Sequence, residues 1–237
     1  MRHLLLIPLL LIIAAAQLRA ADDAQPPLHI IAFGDSITGN RPGEAYHQHY
    51  MKWIDLLGLM LEAHSGRSVQ VSNAGYAGDA TAKRGDRPGA INRFQEEVID
   101  RQPDLVVVLI GGNDAGGRVP TEETAANLRS MLGAMKEAEL QVITLQYAGL
   151  FADGEEGTTG WTHLVDNNEL IAEISAELEI PSVALQPHFD AAAEHYGSHR
   201  PLVNHQDRVH LAPGGEIVTA RATFQALREL GWFAAAE

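Results

Sequence analysis

The chain has 237 residues with 17 basic and 31 acidic side chains, a formal net charge of −14, and 46% hydrophobic against 20% charged residues. This is the composition of one soluble globular domain with a sizeable core. The acidic balance, with no compensating basic stripe, excludes a nucleic-acid partner and disfavours anionic membrane surfaces. The absence of cysteine excludes disulfides, thiolate metal sites, a cysteine nucleophile and a lipid-bearing N-terminal cysteine.

In chain order, Met1-Arg2-His3 is followed by an apolar run over 4–16, broken by Pro8, and then by Gln17-Leu18-Arg19-Ala20-Ala21. A basic start, a short apolar core and small residues before a polar segment predict a secretory signal peptide over 1–21. The run is too short for a membrane-spanning helix, so no stable anchor is expected after its removal. Cleavage removes Arg2 and Arg19 and takes the charge to −16. The expected destination is the periplasm or the medium. A polar linker over 22–27 then leads into one domain over 28–237.

From Leu28 onward, short apolar runs alternate with helical patterns. Strands are expected at 28–33, 68–73, 105–110, 140–146 and 181–185, and helices at 46–64, 90–101, 121–138, 162–179 and 213–230. Near-continuous apolar strands separated by helices predict a three-layer α/β/α sandwich on a doubly wound, parallel, five-stranded sheet, flavodoxin-like in its architecture. Long polar or glycine-rich loops at 39–45, 74–89 and 149–161 follow predicted strands and should gather at one sheet edge, where they would select the substrate.

Ser36 lies in Gly34-Asp35-Ser36-Ile37-Thr38, where the first strand must end and turn. The carboxyl edge of such a sheet is where ligands bind, so this hydroxyl is placed to act as a nucleophile, although a serine here also suits an N-cap or a turn. Three further stretches accompany it: Asn73-Ala74-Gly75-Tyr76-Ala77-Gly78-Asp79-Ala80-Thr81, Gly111-Gly112-Asn113-Asp114 and Asp207-Arg208-Val209-His210. These four stretches in this order resemble the SGNH (GDSL-type) hydrolase family over residues 28 to about 230. Ile37 stands where the family name has leucine.

A serine hydroxyl needs a base, and His210 is the candidate. Asp207, three residues earlier, can accept from one ring nitrogen while the other faces Ser36. The resemblance implies the same triad, and it implies an oxyanion hole formed by the backbone N–H groups of Ser36 and Gly78 and the side-chain amide of Asn113. Asp35 and Asp114 are expected to be turn-forming or helix N-terminal carboxylates. Glu44, His47 and His49 do not place two ligands on one helix face, and neither metal nor cofactor is expected. Tyr147, Phe151 and Trp161 are candidates to face substrate, with core packing the fate of at least one.

The function expected is an exported serine esterase that hydrolyses small acyl, above all acetyl, esters on carbohydrate. Its partner would be a small-molecule or polysaccharide ester. The same site could serve a lipase, a lysophospholipase or an acyltransferase. A non-catalytic carbohydrate-binding protein is the alternative of another class.

Overall fold

The structure is a computed structural model that describes residues 25–39, 50–116, 118–149, 162–204, 207 and 209–234. The expected signal peptide, His47, His49, Phe151 and Trp161 lie outside the described residues. So does most of the loops at 39–45 and 149–161.

Five strands form one parallel sheet: β1 (Leu28–Gly34), β2 (Val69–Gly75), β3 (Leu105–Leu109), β4 (Val142–Gln146) and β5 (Ser182–Ala184). Their order is β2-β1-β3-β4-β5, the flavodoxin-like arrangement. β3, Leu-Val-Val-Val-Leu, is buried throughout, as a central strand covered on both faces must be. β2 lies at the edge and is only partly buried. The register pairs Gly34 with Gly75 and Gly34 with Leu109, so the carboxyl ends of β1, β2 and β3 are level. Whatever follows them emerges at one edge.

The principal helices are α1 (Trp53–Ser65), α2 (Thr121–Glu137), α3 (Asn168–Glu177), α4 (Gln186–Tyr196) and α5 (Pro213–Glu229). α1 packs on α5 and α5 on α4, while α2 packs on α3. The sheet between these groups carries the core, with Phe33, Trp53, Tyr147 and Phe189 almost fully enclosed.

Three expectations need correction. The first helix begins at Trp53, since residues 50–52 are not helical and the expected start at 46 lies outside the described residues; the Asp55 carboxylate accepts the Lys52 N–H (3.1 Å) at its start. The segment expected as one helix over 90–101 is three short turns, Ala90–Asn92, Phe94–Glu97 and Ile99–Arg101. Arg93 and Val98, both at φ −125°, interrupt it. The helix expected over 162–179 starts as a separate 3₁₀ turn, Thr162–Val165. It resumes at Asn168, because Asn167 turns inward to donate to the Gly111 carbonyl (2.9 Å). Helix α4 is additional to those expected, although Pro187 in its first turn and Gly197 just past its end are ordinary boundary signals.

A buried ion pair joins the two helices nearest the fourth motif. Glu216, in the first turn of α5, is fully buried and accepts from Lys52 Nζ (2.5 Å) and the Trp53 N–H (2.7 Å). Removing one partner of such a pair leaves the other charge buried and alone. Glu216→Ala should therefore lower the unfolding free energy by about 3–5 kcal/mol, and Glu216→Gln, which can still accept the Trp53 N–H, should lose less. Urea denaturation of both variants checks the order.

Candidate active site

The first motif turns directly off β1. Gly34 is required by close approach, since a Cβ there would stand 2.3 Å from the Leu109 carbonyl oxygen. Asp35 Oδ1 accepts the Ile37 N–H (2.9 Å), and the Asp35 carbonyl accepts the Thr38 and Gly39 N–H groups (3.2 and 2.9 Å). These bonds wind 35–39 into a tight turn with Ser36 on its outer side, half-buried. The second motif packs onto the first. The Asn73 amide donates to the Thr38 carbonyl (2.7 Å), and a Cβ on Gly75 would stand 2.2 Å from the Gly39 nitrogen.

The loop after β2 is held by Asp79 and Arg93. Arg93 Nε donates to Asp79 Oδ2 (2.7 Å), Nη2 to the Gly34 carbonyl (2.7 Å), and Nη1 to the Ala74 carbonyl (2.7 Å) and Glu97 (2.5 Å). The guanidinium also lies 4.4 Å from the Phe33 ring centroid. Asp79 Oδ1 accepts the Gly89 N–H (2.9 Å), closing the base of the loop. Gly78 sits in this loop at φ +71°, a conformation that favours glycine.

The third motif meets the same loop. Asn113, buried, donates from Nδ2 to the Asp79 carbonyl (2.9 Å), and Nδ2 lies 3.5 Å from Asp35 Oδ2. An amide has two N–H groups, so one is firmly engaged and the other only weakly. Asp114 accepts the Thr81 N–H (3.0 Å) and the Thr81 and Thr124 hydroxyls, which fastens the loop after β2 to the start of α2. The backbone N–H groups of Ser36 and Gly78 donate to no group among the described residues.

Asp207 and His210 form the fourth part. His210 Nδ1 lies 2.8 Å from Asp207 Oδ2. An ionised carboxylate only accepts, so Nδ1 carries the proton and Nε2 is left as the basic nitrogen. Asp207 Oδ1 takes the Val209 and His210 N–H groups (2.9 and 3.0 Å). Burial works to raise the Asp207 carboxyl, yet these three donors outweigh it and hold the group at about 2. Tyr50 reaches across to donate to the Leu211 carbonyl (2.6 Å), and the Val203–Leu211 bridge closes the strap that carries the pair.

The expected residues thus gather as follows. Gly78 and Asn113 lie in elements that touch each other and the Ser36 turn, and His210 stands within electrostatic reach of Asp35. Asp35 does form a turn, as expected, but it also accepts the Tyr147 hydroxyl (2.6 Å). That places Tyr147 in the core, 2% exposed, and not against substrate. Arg93, with no motif to announce it, is missed by sequence reasoning because its partners include two backbone carbonyls. Beside Asp114, a cavity of about 590 Å³ is lined by Gly116, Thr121, His163, Asp166 and Asn167, among others.

The chain is a carboxylic ester hydrolase, a class that rests on the relatives it matches. More narrowly, residues 32–216 match the GDSL-like Lipase/Acylhydrolase family, and the chain belongs to it. It is 28% identical over 130 residues to an arylesterase of Vibrio mimicus, spanning 54% of this chain and 58% of that one. With the uncharacterized lipoprotein YqeF of Bacillus subtilis (strain 168) it shares 23% identity over 214 residues, 80% of this chain and 81% of the other. Among solved structures, Axe2, an acetylxylan esterase from Geobacillus stearothermophilus, is similar in fold, with a TM-score of 0.62 at 22% identity over 89% of this chain and 97% of its own.

Asp35 yields a pH prediction opposite in sign to Asp207. Burial pushes Asp35 up to about 6, only partly countered by the Tyr147 hydroxyl, the Ile37 N–H and the charge of His210. A raised carboxyl is protonated in the fold where the unfolded chain has already ionised, so stability falls as pH rises from about 4 to about 6 and then levels. Across that window the wild type should lose about 3 kcal/mol relative to Asp35→Asn. Urea unfolding at pH 4, 5, 6 and 7 measures the difference; equal slopes in the two proteins would disprove it. Asp207, lowered, loses its contribution only below pH 4, outside the window.

Proposed function

We propose that the protein is an exported serine esterase that removes small acyl groups, acetyl foremost, from carbohydrate. The observation that supports this reading is the Asp207–His210 pair, whose 2.8 Å contact makes Nδ1 the donor; in the proposed mechanism Nε2 takes the proton of Ser36. Ser36 Oγ attacks the ester carbon as His210 takes its proton, giving a tetrahedral oxyanion. The N–H groups of Ser36 and Gly78 and the second N–H of the Asn113 amide receive that charge. The intermediate collapses when imidazolium protonates the leaving alcohol, which leaves an acyl-Ser36. Water, deprotonated by His210, then releases the carboxylic acid and restores the serine. Asp207 stays ionised throughout and stabilises the imidazolium.

The cavity beside Asp114 combines polar residues that can bind sugar hydroxyls, among them His163, Asp166, Asn167 and Glu173, with apolar ones, Val119, Pro120 and Leu170, that can seat a short acyl group. The fold likeness to an acetylxylan esterase points the same way. Export is supported by the basic, apolar and small-residue sequence of 1–21, which lies outside the described residues, and by the partial likeness to a lipoprotein. With no cysteine in the chain, an N-terminal lipid anchor is not part of the proposal.

Release of acid should be followed from p-nitrophenyl acetate, a long-chain p-nitrophenyl ester, acetylated xylan and acetylated pectin. The wild type should turn over the acetyl esters in preference to the long chain, and Ser36→Ala should lose about 10⁴-fold or more in kcat. A folded wild type that releases nothing from any ester would refute the mechanism.

A further inference from the structure

The loop after β2 carries positive charge out of keeping with the rest of the chain. Lys83, Arg84, Arg87 and Arg93 fall within one short stretch of a protein whose net charge is −14. Arg93 is compensated by the carboxylates of Asp79 and Glu97. Arg84 and Arg87 are placed differently. They pair with each other across a two-residue turn, the Arg84 N–H donating to the Arg87 carbonyl (3.2 Å) and the Arg87 N–H to the Arg84 carbonyl (3.0 Å). Gly85 supplies the positive φ, +58°, that such a hairpin needs at its first central residue.

Each guanidinium then meets one of the two residues proposed to complete the oxyanion hole beside Ser36. Arg84 Nη1 donates to the backbone carbonyl of Asn113 (3.1 Å). The Arg87 guanidinium lies against Gly78, where a Cβ would fall 2.3 Å from Nε and 2.8 Å from Nη2. Arg87 Nε is buried and has no hydrogen-bond partner among the described residues. The Asp86 carboxylate lies 3.8 Å from Nη1 and is mostly exposed. On the other flank of Asn113 stand two buried carboxylates, Asp35 and Asp114. An oxyanion formed there would be a third negative charge in a confined space.

We infer that the Arg84–Arg87 hairpin is the electrostatic back wall of the oxyanion hole. Arg84 positions Asn113, Arg87 positions Gly78, and together their charges offset the carboxylates and favour the tetrahedral anion over the neutral ester. Both are positioning residues, and the inference rests on the reading of Gly78 and Asn113 as oxyanion donors. A wall of this kind acts on the transition state more than on the bound ester, so its loss belongs in kcat.

The test compares Arg87→Met, which keeps an apolar stem and loses the charge, with Arg87→Lys, which keeps a charge, and with Arg84→Met and Asn113→Ala. Each is assayed on p-nitrophenyl acetate and for inhibition by phenylboronic acid, whose adduct with a serine hydroxyl is a tetrahedral anion. Thermal melts identify folded variants, and Arg87→Gln replaces Arg87→Met if the latter does not fold. Arg87→Met should lower kcat by roughly 10- to 50-fold, the effect of one charge a few ångströms from the oxyanion at a protein-like dielectric. Boronate affinity should weaken by a similar factor, KM should stay nearly constant, and Arg87→Lys should recover much of the loss. A folded Arg87→Met with unchanged kcat and boronate affinity overturns the inference. So does an equal loss in Arg87→Lys and Arg87→Met, the mark of a packing role. If Asn113→Ala weakens the boronate while Arg87→Met does not, the oxyanion hole stands and the back wall alone is wrong. If neither weakens it, both fall.

Discussion

The arrangement of the sheet's carboxyl edge depends on the guanidinium of Arg93. In a parallel sheet the carbonyls of the last strand residues run out of ladder partners, and a buried carbonyl without a donor is costly. At the ends of β1 and β2, Arg93 donates to the Ala74 carbonyl and, beside the Tyr76 N–H (3.0 Å), to the Gly34 carbonyl, tying together the residues from which the first two motifs spring. Its planar fork can do so while also binding Asp79, which a lysine's single ammonium could not reproduce. Asp79 in turn fixes Gly89, so a loop of more than ten residues is referred back to two strand ends. Ser36 and Gly78 therefore inherit their relative position from one side chain that belongs to neither motif.

The same edge shows three different fates for a carboxylate. Asp207 is held at about 2 by His210 and two backbone N–H groups despite its burial, and it suits the task of facing an imidazolium. Asp35 is so deeply buried that its two donors cannot keep it in the usual range. Asp114 is raised as well, by burial that outweighs Thr81, Thr124 and the nearby charge of Arg84. Asp35 and Asp114 thus work chiefly as acceptors that organise turns and loops. The firmly ionised carboxylate of the three is the one aimed at the histidine. The sequence expectation sets Asp35 and Asp114 apart from Asp207, and in the structure it is solvation that separates them.

Much of the fold was legible because its signals are local. Leu105–Leu109 is apolar at every position, and a strand that must be buried on both faces has no other pattern available. The four motifs were legible for the same reason, three being contiguous sets of small and polar residues at strand ends and the fourth a short stretch just before the last helix. What escaped the sequence was decided by partners far along the chain. Residues 90–101 read as a helix, but Arg93 leaves helical geometry to reach Gly34, 59 residues away. Residues 162–179 read as one helix, but Asn167 breaks it by reaching Gly111, 56 residues away. Tyr147 looked like a residue for substrate because an aromatic at a strand end often is. Its hydroxyl is claimed by Asp35, 112 residues earlier, and no local pattern encodes that.

The proposed site is assembled from two units, and His210 of the second stands within electrostatic reach of Asp35 in the first. One is the sheet edge, where Arg93, Asp79 and Asp114 lock the turns after β1, β2 and β3 to each other. The other is the strap bearing Asp207 and His210, which is fastened elsewhere. Its closing carbonyl, that of Leu211, takes the Tyr50 hydroxyl, and the helix it enters is pinned through Glu216 to Lys52 and Trp53 at the start of α1. Gly215 permits the closure, since a Cβ there would stand 2.1 Å from the Leu202 carbonyl oxygen. The strap that bears His210 is thus placed by how α1 and α5 pack on the sheet. Burying Glu216 with a positive partner, at the cost of desolvating both, converts the rigidity of the helical layer into the position of His210.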